Sequence, residues 1–288
     1  MADGRDGPPS MQSTRGDGGD PFREALSDVV LRAALAAGEF EVAYQPILTL
    51  ADWSVVGAEA LLRWRHPEHG VIVPDRFIPF AEQNEAIVDI GAWAIATACT
   101  CNAAWRKAGI VSFPVSVNVS PTQFERVDFV DSVTAALYRS GLPPTALELE
   151  ITENMFMPDL ERTGAMLTRL SSIGIRLAID DFGTGFTSLD YLHRLPVEKL
   201  KIDKSFVDGI DTDPHDAAVA GAIIRIGQSF SLRTVAEGVE SAAQVARLRE
   251  LGCDEVQGYF VAPPMPADEF VVWLGTHRQA VDVDASAH

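Results

Sequence analysis

The chain has 288 residues, 47% of them hydrophobic and 22% charged, so it can bury a sizeable core as one large domain or two small ones. Its formal net charge of −18 and pI near 4.6 disfavour a grip on DNA or RNA, because such binding rests on many Lys and Arg releasing phosphate counterions. A small phosphate ester remains open as a ligand, provided a metal ion sits between the carboxylates and the phosphate and reverses the local sign of charge.

Residues 1–22 are rich in Gly, Asp, Ser and Pro and nearly devoid of large apolar side chains, so they cannot offset the entropy of ordering and are expected to form a disordered tail. Met1-Ala2-Asp3-Gly4-Arg5-Asp6 lacks a basic stretch followed by an apolar one, and no signal peptide is expected. From Glu24 the spacing of Leu26, Val29, Val30 and Ala33 predicts a helix that Gly38 stops. Short β-rich runs then alternate with longer amphipathic ones. The strand candidates are Glu41–Leu48, Ser54–Arg63, Phe113–Val119, Ala146–Thr152, Ile175–Asp180, Glu198–Ile202, Arg233–Ala236 and Asp254–Phe260. The helix candidates are Pro74–Glu82 with Val88–Lys107, Phe129–Arg139, Leu160–Ser172, Ser188–His193, Ala217–Phe230 and Ser241–Leu251. The apolar stretch from Ile87 to Ala104 is broken by Asp89, Gly91 and Asn102, and reads as a buried helix instead of a membrane span.

Eight strands alternating with helices predict an α/β fold, a (β/α)8 TIM-like barrel. Only the turn around Ala51-Asp52 separates the first two strands, so a hairpin and an antiparallel first strand are expected. The barrel takes residues 23–280 as one domain, and residues 281–288 are expected to form a second disordered tail. Cys99, Cys101 and Cys253 form no C-x-x-C pair and are too few for a disulfide framework or a thiolate zinc site. They read as buried thiols of a cytosolic protein.

In such a barrel the carboxyl ends of the strands face the active site. Here those ends deliver Glu59, Asn118, Glu150 with Glu153, Asp180 with Asp181, Lys201, Glu237 and Gln257. Any single one has a plain structural reading, since polar side chains gather where strands meet loops and are satisfied there by backbone and water. The set is harder to explain that way, because clustered like charges are costly unless a cation is bound among them. Oxygen ligands with one amide and no Cys or His suit Mg²⁺ or Mn²⁺ better than zinc.

The motifs around these residues carry a family resemblance. Gly57-Ala58-Glu59-Ala60-Leu61-Leu62-Arg63-Trp64, Phe77-Ile78-Pro79, Asn118-Val119-Ser120, Glu150-Ile151-Thr152-Glu153, Asp180-Asp181-Phe182-Gly183-Thr184-Gly185, Lys201-Ile202-Asp203, Ala236-Glu237-Gly238-Val239-Glu240 and Gln257-Gly258-Tyr259 resemble the signatures of EAL domains, in the family's order from about Phe40 to Pro266. The resemblance implies a metal-dependent phosphodiesterase that cuts c-di-GMP to linear pGpG. Residue by residue, it implies that Glu59, Asn118, Glu150 and Asp180 hold one metal ion, and that Asp180 bridges to a second held by Asp181 and Glu237. It makes Glu237, Lys201 and Glu59 catalytic, with Lys201 orienting a water and Glu237 either base or ligand. Gln45, Leu62, Arg63, Asp203 and Gln257 become substrate contacts, and Glu153 and Glu240 brace a mobile loop over Asp181–Leu189. The family's habit of pairing through helices beside that loop implies a homodimer.

Two departures stand out. Phe186-Thr187-Ser188 replaces the commoner Tyr-Ser-Ser, and Val261-Ala262-Pro263-Pro264 lacks a basic residue that many members carry, which weakens one expected guanine or phosphate contact. Gly18-Gly19-Asp20-Pro21-Phe22 looks like a GGDEF cyclase signature but has too few residues around it before Glu24, and Pro21 stands at its acidic position. His66 and His69 read as exposed loop residues, and Trp64, Trp93 and Trp105 as packing. The rival readings are a catalytically silent c-di-GMP receptor acting through a protein partner and an unrelated aldolase- or enolase-like barrel. Retention of every expected metal ligand favours the enzyme over the receptor.

Overall fold

A computed structural model of the chain describes residues 26–156, 159–185 and 192–286. The expectations for residues 1–22 and for Phe186-Thr187-Ser188, and most of the helix expected over Ser188–His193, fall outside the described residues.

Strand β1 (Phe40–Thr49) runs antiparallel to β2 (Val55–His66), with Gln45 opposite Glu59. From β2 the sheet continues in parallel through β4 (Val115–Val119), β5 (Leu147–Thr152), β6 (Arg176–Phe182), β7 (Lys199–Ile202), β8 (Arg233–Ala236) and β9 (Glu255–Val256). It closes where Leu48 and Thr49 of β1 meet Val256 and Glu255. Eight strands therefore form a barrel with an antiparallel first strand, as the hairpin at Ala51-Asp52 required. A further strand, β3 (Gly70–Ile72), hangs outside the barrel on β2, Trp64 opposite Ile72. Three residues are too few to show a period, so β3 was not legible in the sequence.

The parallel strands bury both faces. Val115, Val117 and Val119 of β4, Leu147, Leu149 and Ile151 of β5, and Leu200 and Ile202 of β7 pack outward in the main core beneath the helices. The alternate residues, Ser116 and Asn118, Glu148 and Glu150, Lys199 and Lys201, point to the barrel axis because successive side chains leave a strand on opposite faces. The interior of this barrel is thus polar where such barrels are usually filled with branched apolar side chains.

Several expectations are corrected. The first helix, Asp28–Ala37, is capped by Ser27 and stopped by Gly38 at φ 72, but the face it buries carries Leu31 and Ala34. Val29, expected in the stripe, is 75% exposed, because the contact surface offered by Phe40, Trp64, Phe77, Ile87 and Ile90 lies against the other side. Strand β9 ends at Val256 instead of Phe260, since Gly258 turns the chain and its carbonyl accepts from the amides of Val261 and Ala262. A final helix, Ala267–Ser286, was not read from the sequence and replaces most of the tail expected over residues 281–288. Buried Phe270 anchors it by stacking on Trp105 at 5.1 Å. Beyond that anchor no Pro interrupts the run to Ser286, Gly275 is carried within the helix, and each added residue gains a backbone hydrogen bond.

The helix Ala86–Lys107 is the one among the described residues long and apolar enough to cross a membrane by length and composition, with 44% of its apolar window buried in the fold. Within it Asn102 is buried and donates to the Ala146 carbonyl at 2.9 Å, which ties the helix to the start of β5.

Gly258 stands where a Cβ would lie 2.2 Å from both the nitrogen and the oxygen of Val239, atoms of backbone that cannot yield as a side chain can. Gly258→Ala is expected to lower stability by about 1–3 kcal/mol, read as a lower denaturant midpoint with an unchanged m-value.

Candidate active site

Lys201 is the centre of the rim. It leaves β7 toward the axis, is 1% exposed, and lies among carboxylates from four other strand ends. Its Nζ is 2.5 Å from Glu237 Oε1, 2.6 Å from Glu150 Oε2, 3.1 Å from Asp180 Oδ1 and 3.7 Å from Glu59 Oε2. Around this group the amides are interlocked. Asn118 Nδ2 donates to Glu59 Oε1 at 2.5 Å, and Gln257 Nε2 donates to Glu59 Oε2 at 2.5 Å and to Gln45 Oε1 at 3.0 Å. Gln45 in turn donates to the Ala262 carbonyl at 3.0 Å.

Asp180 and Asp181 are consecutive, and a regular strand would send them to opposite faces. The pairing of β6 with β7 slips between Ile179 and Phe182, and Asp181 takes φ 52, a left-handed conformation that Asp tolerates better than most residues. The turn is held by Thr184 Oγ1 donating to the Asp181 carbonyl at 2.8 Å and by the Asp181 amide donating to Asp180 Oδ1 at 3.1 Å. As a result one ligand atom each from Asp180, Asp181 and Glu237 lies within 4.8 Å of the others.

The charges do not balance. Burial opposes the ammonium of Lys201, but Asp180, Glu150, Glu237 and Glu59 together hold it well above the ordinary lysine range. Burial, then the negative charges of Glu59, Asp180 and Glu237, push Glu150 well up. Glu237 is raised in the same way by burial and by Asp180. Asp181 is pushed up to about 6 by burial, then by Asp180 and Asp203. Glu59 resists burial through Lys201 and the amides of Gln257 and Asn118, and stays below the usual range. Five carboxylates thus face one ammonium, and buried Glu150 Oε1 has no hydrogen-bond partner. An oxygen-rich set with excess negative charge and an orphaned buried acceptor fits a hard divalent cation.

The remaining predicted residues fall around this centre. Arg63 follows Glu59 on the same face of β2, and its Nη1 donates to the Leu62 carbonyl at 2.8 Å. Leu62 points to the opposite face, and together with Leu61, Pro74, Ile78 and Asn118 it lines a cavity of 530 Å³ at the strand end. Leu61, which shares the face of Glu59, was not singled out, although strand alternation alone would have placed it. Asp203 caps the short helix Lys204–Asp208 through the amide of Ser205. Buried Glu153 accepts from the amides of Gly183 at 2.9 Å and Gly185 at 3.2 Å, at the start of the expected mobile loop. Glu240 pairs with Lys204 at 2.5 Å on the surface.

Comparison with known proteins places this rim in a family. A model described as the EAL domain matches residues 28–264. The chain belongs to the EAL family. It is 43% identical to the bifunctional diguanylate cyclase/cyclic di-GMP phosphodiesterase MucR of Pseudomonas aeruginosa over 84% of this chain and 35% of that one. It is 44% identical to the cyclic di-GMP phosphodiesterase NbdA of the same organism over 89% of this chain and 33% of that one. It therefore spans about a third of the length of these curated relatives. Among solved structures, the PaMucR phosphodiesterase in complex with c-di-GMP superposes with a TM-score of 0.83 at 42% identity, covering 85% of this chain and 100% of that chain. The FimX EAL domain of Xanthomonas citri in complex with c-diGMP superposes with a TM-score of 0.75 at 26% identity, covering 85% and 95%.

A bound cation should reorganise the electrostatics of this rim. In the metal-free EAL domain the raised carboxyl of Asp181 binds more protons folded than unfolded, so its contribution to stability is lost as pH rises between its ordinary 3.8 and about 6. The thermal midpoint of metal-stripped protein is expected to fall over that range, less so for Asp181→Asn. At pH about 7, Mg²⁺ or Mn²⁺ at a hundred times its dissociation constant is expected to restore about 2.7 kcal/mol, with calorimetric scans in chelator and in metal as the measurement.

Proposed function

We propose that this chain is a divalent-metal-dependent phosphodiesterase that hydrolyses one phosphodiester bond of c-di-GMP to give linear pGpG, and so lowers the level of a second messenger. The observation that carries the reading is the closed set of carboxylates around Lys201, with Glu237 among them. Relatives named as cyclic di-GMP phosphodiesterases support the same chemistry.

In this reading Glu59, Asn118, Glu150 and Asp180 would hold one ion, and Asp180, Asp181 and Glu237 a second. When bound, Mg²⁺ or Mn²⁺ there acidifies water and steadies charge on the phosphoryl oxygens. Arg63 binds the phosphate, for which its planar fork suits better than an ammonium, while its Nη1 is oriented by the Leu62 carbonyl. Lys201, fixed without freedom to move, opposes the negative charge that grows in the transition state. Glu237 is within reach of Lys201 and positioned either to take the proton of the attacking water or to serve as a ligand. Gln257, itself bonded to Gln45, pins Glu59, and Gln45, Gln257 and Asp203 contact the substrate. The cavity beside Leu61 and Leu62 offers apolar walls to a base. Glu153 orders the loop through Gly183 and Gly185, and Glu240 acts at a distance through Lys204. We place the protein in the cytoplasm, as a homodimer.

Purified protein is to be incubated with c-di-GMP and Mg²⁺ or Mn²⁺ and the products separated by chromatography, beside Glu59→Ala and Glu237→Ala. The expected outcome is pGpG from wild type and a loss of at least about 10²–10³-fold in kcat for each variant. Surviving c-di-GMP that calorimetry finds bound would instead make the chain a receptor.

A further inference from the structure

Beneath the rim lies a second buried ionic layer that the proposed reaction does not use. Lys199 Nζ is 3.3 Å from Glu148 Oε1 and 3.1 Å from Glu255 Oε2, and all three residues are buried. Glu255 Oε1 is met at 3.1 Å by Nη1 of Arg233, whose side chain is 64% exposed at the amino end of the barrel. The chain of contacts runs Glu148–Lys199–Glu255–Arg233 and ties β5, β7, β9 and β8 together.

These four strands are the ones that deliver Glu150, Lys201, Gln257 and Glu237. On three of them the lower residue precedes the rim residue by two positions, the spacing that puts both on one face. On the fourth, Arg233 begins the strand after which Glu237 follows. The lower layer is therefore the foundation on which the rim groups are spaced. Stability does not explain it, because a buried ion network of this kind is commonly matched or exceeded by apolar side chains of similar volume. An apolar layer would tolerate small slips between strands, whereas an ammonium shared between two carboxylates fixes their separation to within hydrogen-bonding distance.

We infer that Lys199, with Glu148, Glu255 and Arg233, is a positioning network that sets the spacing of Lys201, Glu150, Glu237 and Gln257. It touches neither substrate nor metal and acts through the strands. The inference rests on the proposed phosphodiesterase reading only for its kinetic arm.

The test is a charge-free layer, Glu148→Gln with Lys199→Met and Glu255→Gln, in the full chain. The expected result is a thermal midpoint at or above that of wild type, kcat for c-di-GMP lower by about tenfold to a hundredfold, KM within about twofold, and weaker binding of Mn²⁺ alone by calorimetry. Lys199→Arg, which keeps the charge between both carboxylates, is expected to retain most of kcat. A folded triple variant with wild-type kcat and wild-type Mn²⁺ affinity overturns the inference. If the triple variant does not fold, Arg233→Ala decides, since it leaves Glu255 paired with Lys199: a drop of about threefold in kcat at constant KM supports the network, and no change overturns it. Should wild type prove inactive on c-di-GMP, the phosphodiesterase reading fails by itself, and the Mn²⁺ affinities of wild type and variants still decide the positioning role.

Discussion

One ammonium, buried without access to water, holds together strand ends that would otherwise repel one another. Lys201 is the only positive side chain in contact with Glu59, Glu150, Asp180 and Glu237 among the described residues, and its distances to them span 2.5 to 3.7 Å. Removing such a partner from a buried ionic group costs about 3–5 kcal/mol, because the charges left behind have neither solvent nor counter-ion. The same shortage of positive charge that makes the metal-free rim expensive makes it receptive to a divalent ion. Binding and folding draw here on the same oxygens.

The proposed pairing of an acidic protein with an acidic substrate is explicable on this arrangement. A chain of formal charge −18 repels a phosphodiester at long range, so recognition must come from fixed groups at contact distance. Arg63 and Lys201 are the cations placed for it in the proposed reaction, and bound metal would supply the rest. The barrel contributes by exclusion as much as by contact: outward Val, Leu and Ile under the helices keep water from the strand faces, and the amides of Asn118 and Gln257 hold both carboxylate oxygens of Glu59.

Much of this was legible in the sequence, and for physical reasons. The Val115/Val117/Val119 and Leu147/Leu149/Ile151 alternations are period-two signals that survive burial on both faces, and the polar residues between them had only the barrel axis to occupy. The rim residues stood out because acidic groups at successive strand ends cannot be satisfied by solvent alone. What escaped had weak local signals. Strand β3 is three residues long, and the final helix is held by tertiary contacts such as Phe270 on Trp105 and buried Leu274, with His277 at the Trp53 carbonyl. The buried side of the first helix depended on where Trp64 and Phe77 would lie, which no local period encodes. The left-handed turn at Asp181 was invisible, since Asp is common in regular strand ends and in turns alike.

The closure of the barrel also has a bearing on how the protein comes into being. Glu59 sits early in the chain, and the amide that fixes it, Gln257, lies 198 residues later. The two-rung seam between β1 and β9 cannot zip until the chain has been made through Val256. Until then the acidic strand ends already made have no common cavity to share, and the nascent barrel is an open curved sheet with two unpaired edges. Long-range closure of this kind is slow. The pocket in which a cation could be shared by all the rim carboxylates therefore comes into existence only when β9 closes the barrel, after the strands that carry Glu59, Glu150 and Asp180 have already been made.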